Sequence, residues 1–523
     1  MLKDSIAKAL CLLHCSHVVV SAASVRMRMP APVVPPESAI EAAAQIPTGQ
    51  TLCSTKFFPQ PVHHSDFNGD WNDSDATFLQ QYQVIDKFYK PGGPILFFQS
   101  PEDVYSCMEY EAVYTYASEL GALAVGLEHR YFGPSCPYGL NYTLAATWET
   151  SKMDAMTLAN VLSDGVSLLT YLTTGANPVA KGAKVIVFGG KLNSYHHPSY
   201  GGSLAAMYRT HHPEIIYGSV ASSPLVEGAI TDPNDPLIYG YANWATMVYN
   251  DLSAEAADKI KTSIADVRNR VAAGKFGGIQ QALKLCNPLN STDQAESVSR
   301  YLLSAYVHAA QYNAALAQFP LNAIINATLA LPQNDSLSIL GAAIPWELRV
   351  QGGAAAASSS SSCSTLLPAG QLDRYTRNPF DYAICTYLPY PRTIYAPAQS
   401  LFGSHAPDPS VKNVNQARCR AMWGIDAVDG GVAYQRAIRL DRATLQNTSR
   451  VLISEGLYDP ATAVGVGMTG WRPSSDRNAS RVLFISQGSH GGEFFMPNET
   501  DPQAVVAART FEVNSIKEWL GRV

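Results

Sequence analysis

The sequence predicts an α/β fold: a doubly wound, largely parallel sheet interrupted by a mainly helical insertion. Six short apolar runs predict the sheet, at residues 93–98, 122–127, 184–188, 216–220, 450–454 and 481–485, each ending at a turn. They are apolar on both faces, as strands buried between two helical layers must be. Helical stretches lie between several of them, residues 153–172 for example, and strand–helix alternation is the pattern of a doubly wound sheet. The insertion shows as a loss of that pattern. From residue 236 to 436 strands fade, and stretches such as 254–274 and 294–318 are Ala-rich with Leu, Lys and Glu interspersed, a helical composition.

Each element then has a place. The chain has 523 residues, enough for a large core and a second domain. Residues 1–23 read as an export signal: Lys3 and Lys8 precede an apolar stretch, and Ser21-Ala22-Ala23 supplies the small residues of a cleavage site. Residues 24–50, rich in Ala, Pro and Val, read as a pro-segment or flexible lead-in. The sheet domain occupies 51–235 and 437–523, with the helical cap between them at 236–436. Within the cap, residues 352–362 form a Gly/Ala/Ser tract with nothing to bury, which predicts a flexible loop.

Composition narrows the function. The formal net charge of −6 and the lack of any basic run exclude a nucleic-acid binder as the natural reading. Past the export signal, no stretch is long and apolar enough to span a bilayer. Eight sequons, at Asn72, Asn141, Asn290, Asn326, Asn334, Asn447, Asn478 and Asn498, fit a surface exposed to the secretory pathway. Of nine cysteines, seven follow the signal, and none pairs at C-x-x-C spacing. In an oxidising compartment most should form disulfides, with one left over.

The chemistry concentrates after the third run. Val187-Phe188-Gly189-Gly190 ends a strand, and Ser199-Tyr200-Gly201-Gly202-Ser203-Leu204-Ala205-Ala206 begins a helix. A G-x-S-x-G elbow sets a serine on a tight strand-to-helix turn, because any side chain at the glycines would strike the neighbouring strand or helix. The turn raises the hydroxyl above the sheet, and the following backbone N–H serves the oxyanion hole. Here both halves of the elbow are present, but residues 191–198, eight in all, separate them. Without those eight the chain reads Val-Phe-Gly-Gly-Ser-Tyr-Gly-Gly. As written, Pro198 precedes Ser199 and His197 stands where a glycine is needed. The rival serine, Ser194, has no glycine on either side.

An acid and a base follow in the order the α/β-hydrolase fold requires. Asp459 sits just past the run at 450–454, in a turn held by Gly456 and Pro460. His490 sits past the last run, in Gly488-Ser489-His490-Gly491-Gly492. An Asp-Pro turn is usually only a turn, and a loop histidine is usually only surface. Three such residues in order at strand ends make a triad: Ser199 as nucleophile, His490 as base, Asp459 as the group that orients it.

On these residues the chain resembles the family of lysosomal Pro-X carboxypeptidase, dipeptidyl peptidase II and the fungal acid prolyl endopeptidases, closest to the last type. The resemblance runs from Cys53 to the C-terminus. It rests on Asp66-Phe67-Asn68 with Thr77-Phe78-Leu79-Gln80-Gln81-Tyr82, on Gly93-Pro94-Ile95-Leu96-Phe97, on Tyr382-Ala383-Ile384-Cys385-Thr386 and, most specifically, on Glu128-His129-Arg130-Tyr131-Phe132-Gly133-Pro134-Ser135. It implies an α/β-hydrolase core under a helical cap that restricts substrate size. It also implies cleavage on the carboxyl side of proline, often at acidic pH, without metal or cofactor. Ser199, Asp459 and His490 match the family triad, Tyr200 N–H matches an oxyanion donor, and Cys385 would pair with Cys419. Two features depart from the family: the eight-residue insertion, and Tyr387, which stands where many members carry Glu.

The expected partners are proline-containing peptides or proteins, with a homodimer as a further candidate assembly; neither nucleic acid nor membrane is expected. The expected location is outside the cell, or a vacuole or lysosome reached by the secretory pathway. Other conspicuous residues have plainer readings. His63-His64 and His211-His212 lack the i, i+4 spacing of a helical metal site. Glu128-His129-Arg130 reads as a buried ion-pair network. Two rival functions stay open: a catalytically impaired relative disabled by the insertion, and a carboxylester hydrolase, which the same triad would serve.

Overall fold

The computed structural model describes residues 52–64, 76–100, 107–108, 111–140, 148–175, 178–190, 200–313, 320–352, 363–364, 366, 377–467 and 471–522. Outside the described residues lie the export signal, the lead-in, Asp66-Phe67-Asn68, Asn72, Asn141, Ser194, Ser199, the inserted residues 191–198 and nearly all of the Gly/Ala/Ser tract.

Among the described residues eight strands form one sheet: β1 (Ser54–Pro61), β2 (Thr77–Ile85), β3 (Ile95–Gln99), β4 (Leu123–Leu127), β5 (Val185–Gly189), β6 (Ile216–Ser222), β7 (Val451–Gly456) and β8 (Arg481–Ile485). Their spatial order is β1-β2-β4-β3-β5-β6-β7-β8. β1, β2 and β4 pair antiparallel, and every later pairing is parallel. This is the α/β-hydrolase order. The six strands expected from the sequence are all present; β1 and β2 add an antiparallel edge.

The principal helices are α1 (Ala112–Leu120), α2 (Leu158–Thr174), α3 (Tyr200–His211), α4 (Gly240–Leu252), α5 (Ala254–Ala272), α6 (Gln294–Gln311), α7 (Pro379–Thr386) and α8 (Gln503–Trp519). Strand alternation divides the core between the two faces of the sheet. Ile95, Phe97, Val185 and Val187 pack with Leu162 and Leu169 of α2 and Leu204 of α3. Their neighbours Leu96, Phe98, Ile186 and Phe188 pack with Tyr116 of α1 and Ile516 and Trp519 of α8. Burying such side chains contributes roughly 1.5–3 kcal/mol each, which fixes the register of the central strands.

The cap lies between β6 and β7. Its helices start where the sequence supplies caps: the side chain of Ser253 accepts from Ala256 N–H at the start of α5, and that of Asn378 from Asp381 N–H at the start of α7. Residues between Ala242 and Phe402 build a separate core in which Val267, Tyr306 and Ile339 are fully buried. α7 and the segment after it are different: Phe380, Cys385, Tyr387 and Trp423 join the core of the sheet domain. Among the described residues three disulfides close the structure, Cys53–Cys107, Cys286–Cys363 and Cys385–Cys419, while Cys136 is buried outside them with its Sγ donating to Gly133 O at 3.4 Å. No helix among the described residues is long and apolar enough to cross a membrane.

Candidate active site

The acid and the histidine stand on two loops at the carboxyl ends of β7 and β8. Asp459 caps the short turn Pro460–Val464: its Oδ1 accepts from Ala461 N–H at 2.9 Å. That bond fixes the carboxylate, and its other oxygen, Oδ2, lies 2.6 Å from His490 Nδ1. Both side chains are fully buried. The two loops are sewn together by main-chain bonds from Leu457 N–H to Ile485 O and from Tyr458 N–H to Gly488 O. A side chain at Gly456 could not fit, since a Cβ there would lie 2.6 Å from Gly488 O.

With Nδ1–H donating to Asp459, the neutral imidazole presents its lone pair at Nε2. That atom is buried and has no partner among the described residues. A base held in one tautomer with an unengaged lone pair can take a proton from a hydroxyl and return it to a leaving group.

The two halves of the elbow meet in space. A Cβ on Gly189 would stand 1.9 Å from Gly201 O, and one on Gly201 would stand 2.4 Å from Gly190 O. The end of β5 and the first turn of α3 are thus in backbone contact, as an uninterrupted elbow requires, and only glycine permits it. Tyr200 is the first residue of α3, so no carbonyl inside the helix can accept its N–H. Ser199 itself lies outside the described residues.

Behind the elbow runs a chain of hydroxyls. His129 Nδ1 donates to Arg130 O at 2.7 Å, which leaves Nε2 as an acceptor. Tyr200 OH is 3.0 Å from that nitrogen, and Tyr387 OH is 3.1 Å from Tyr200 OH. Burial holds the His129 pKa down to about 4, so the ring is neutral and accepts. Tyr387, the departure from the family pattern, is therefore part of the support of Tyr200. It follows α7, which carries Phe380 against the Tyr200 ring and is tied down through Cys385–Cys419.

The other conspicuous residues are structural. Arg130 makes a two-pronged pair with Asp164, Nε to Oδ2 at 2.7 Å and an Nη to Oδ1 at 2.6 Å, and His64 Nε2 lies 2.8 Å from the same Oδ1. Burial pushes the Asp164 carboxyl upward, but the charge and hydrogen bonds of Arg130 outweigh it and bring the pKa below the ordinary value. Glu128 accepts from Ser135 Oγ at 2.5 Å. His211 bonds Ile438 O, and His212 pairs with Glu214. No cluster of three or more His, Cys, Asp or Glu among the described residues could hold a metal. The six described sequon asparagines, Asn290, Asn326, Asn334, Asn447, Asn478 and Asn498, are all exposed.

Sequence reasoning missed what surrounds His490. Its N–H donates to Gln311 O at 2.9 Å, at the C-terminal end of α6, and the Tyr312 ring stands edge-on to the imidazole at 6.3 Å. No local signal could have found them, because the contact joins cap to core over a long stretch of sequence.

Strand order, elbow and buried Asp–His pair together define an α/β-hydrolase of the serine-hydrolase type. The chain matches the serine carboxypeptidase S28 family over residues 67–512 and belongs to it, which makes it a serine-type peptidase. Among curated relatives it is 26% identical over 482 residues to the lysosomal Pro-X carboxypeptidase of Pongo abelii, covering 89% of this chain and 88% of that one. The protein of the same name from Bos taurus is 24% identical over 495 residues, covering 91% and 89%. A lipase in its open form covers 88% of this chain and 99% of its own at 11% identity; its TM-score of 0.32 is too low to add to the strand order.

Proposed function

We propose that this chain hydrolyses peptide bonds on the carboxyl side of proline, with Ser199 as nucleophile, His490 as general base, Asp459 as its orienting acid and Tyr200 N–H as an oxyanion donor. The observation that carries the reading is the buried Asp459–His490 pair, 2.6 Å apart, with no partner for Nε2 among the described residues. Ser199 Oγ would attack the prolyl carbonyl as its proton passes to Nε2. His490 would then protonate the departing amine, and water would release the acyl group by the same route in reverse. The preference for proline rests on the family and on relatives named as Pro-X carboxypeptidases. The exposed sequons and three disulfides support passage through the secretory pathway to the exterior or to a lysosome or vacuole.

One observation favours a second reading. The eight residues at 191–198 fall inside the elbow, so the chain as written could be a catalytically impaired relative. An unspliced segment carried in frame would have the same effect on the sequence. The apposition of Gly190 and Gly201 supports the peptidase, because it keeps the shape of the elbow on either side of the insertion.

The test is hydrolysis of a proline-anilide peptide at acidic and neutral pH by three secreted proteins: the full chain, a form lacking residues 191–198, and that form with Ser199→Ala. Activity in either of the first two, abolished by Ser199→Ala, supports the assignment. Activity confined to the deletion form makes the insertion the inactivating feature. Folded proteins that cut ester substrates but no prolyl bond would replace it with the carboxylester hydrolase reading.

A further inference from the structure

The helical cap touches the catalytic histidine directly. α6 ends at Gln311, and its terminal carbonyls have no N–H inside the helix to accept. One of them, Gln311 O, accepts the backbone N–H of His490 at 2.9 Å. The next residue, Tyr312, sets its ring against the imidazole at 6.3 Å and 84°. Tyr312 is held in turn by His308, one turn earlier on α6, whose ring lies 5.7 Å away. His308 Nδ1 is 2.8 Å from Glu347 Oε2, and that carboxylate is buried in the cap. A second strut joins cap to acid loop: Trp244 Nε1 of α4 donates to Leu457 O at 3.1 Å.

We infer that Tyr312 is a positioning residue for His490, and that the cap uses the end of α6 to hold the catalytic base in its productive orientation. The inference rests on His490 being the base of the proposed reaction. The physical argument has three parts. The Gln311 bond fixes the main chain on which the imidazole hangs. The Tyr312 ring closes one side of the imidazole, so that rotation about χ1 or χ2 would break the Asp459 bond against a packed aromatic wall. The negative end of the α6 dipole lies at the backbone N–H of the residue whose ring becomes positive during the reaction, which favours the imidazolium. Asp459 alone fixes one edge of the ring; Tyr312 fixes its plane. A cap that merely excluded large substrates would need no contact with His490.

The test reads the Asp459–His490 hydrogen bond itself. The low-field Nδ1 proton resonance of His490 is recorded on the full-length protein, with His490→Asn to assign it. Because the signal needs only Asp459 and His490, it reports on the inference whether or not Ser199 is competent. Full-length protein and Tyr312→Phe should both show the resonance. Tyr312→Ala should lose it to exchange with water, or speed that exchange at least tenfold. His308→Ala, at a position 23% exposed, should speed exchange severalfold in the full-length protein and have no added effect beside Tyr312→Ala. In whichever form hydrolyses the proline-anilide, Tyr312→Ala should lower kcat about tenfold or more with little change in KM, and Tyr312→Phe should restore it.

An unchanged resonance in Tyr312→Ala, or in His308→Ala if the former does not fold, overturns the inference. So does a full-length protein with no low-field resonance. Loss in Tyr312→Phe as well would transfer the role from the ring to the hydroxyl and overturn the packing argument. An intact, Tyr312-dependent resonance in a protein that cuts no prolyl substrate would sink the proposed function and leave the positioning role standing.

Discussion

Asp459 Oδ2 lies 2.6 Å from His490 Nδ1, with neither side chain exposed to solvent. The second carboxylate oxygen is spent on Ala461 N–H, so the acid cannot turn away from the ring. Asp459→Asn would keep the shape and offer an amide where a carboxylate accepted, favouring the wrong imidazole tautomer. The expected result is a fall in kcat of about 10⁴ with little change in KM, measured on a proline-anilide with whichever form is active. A loss below tenfold would remove Asp459 from the triad.

Tyr200 and Tyr387 give a prediction of rank. Tyr200 OH donates to a neutral, fully buried His129, so Tyr200→Phe leaves that ring nitrogen without its donor. A buried acceptor left unpaired costs roughly 1–3 kcal/mol. Tyr387→Phe removes only the next hydroxyl along, and Tyr200 can go on donating to His129. Denaturant midpoints should therefore fall further for Tyr200→Phe than for Tyr387→Phe, with m-values unchanged. The reverse order would mean that the hydroxyl chain runs the other way.

The elbow predicts a steric result. A Cβ on Gly189 would stand 1.9 Å from a main-chain oxygen and 2.8 Å from Ala205 Cβ, and the oxygen can move only by parting β5 from α3. Gly189→Ala should destabilise the protein by about 3 kcal/mol or more. Gly277→Ala is the internal control, because a Cβ there meets nothing within 4 Å. Thermal unfolding of the two variants side by side decides the matter. Equal melting temperatures would show that β5 and α3 are not in contact in solution.

These expectations differ in how far the sequence could have carried them. The central strands were legible because each is a short run apolar on both faces. β1 and β2 were not: Ser54–Pro61 holds Lys56, Pro59, Gln60 and Pro61, and only its second half is fully buried. Proline is tolerated there because β1 is an edge strand with one neighbour. Asp459 and His490 were legible because glycine and proline mark their turns locally. The contacts of Tyr312 with His490 and of Tyr387 with Tyr200 were not, since each depends on how the cap seats on the core. Composition identified residues 236–436 as helical but could not tell that Phe380 and Tyr387 pack into the core of the sheet rather than that of the cap.

The last prediction concerns pH. Glu512 is buried on α8, where Tyr116 OH donates to its Oε2 at 2.6 Å. Burial first, and then the nearby Glu493, push its pKa well above the ordinary value; the Tyr116 bond and Arg509 only partly offset them. Glu455, buried at the end of β7, is raised well above its ordinary value by burial and, more weakly, by the charges of Asp459 and Glu493. A carboxyl raised on folding binds its proton more tightly in the native state. Its stabilisation is complete below the unfolded pKa of about 4.3 and is lost as pH rises toward the folded value. Asp164, lowered in the fold, has the opposite sign: its stabilisation is present above about pH 3.9 and is lost as pH falls through the folded value. Glu512→Gln keeps an uncharged group of the same shape and should cost little near pH 4.5. It should melt above the unsubstituted protein near pH 8, because a raised carboxyl weakens the fold by up to about 1.4 kcal/mol for each pH unit that separates its two pKa values. Melting curves that stay parallel from pH 4.5 to 8 would show that Glu512 does not change its protonation on folding.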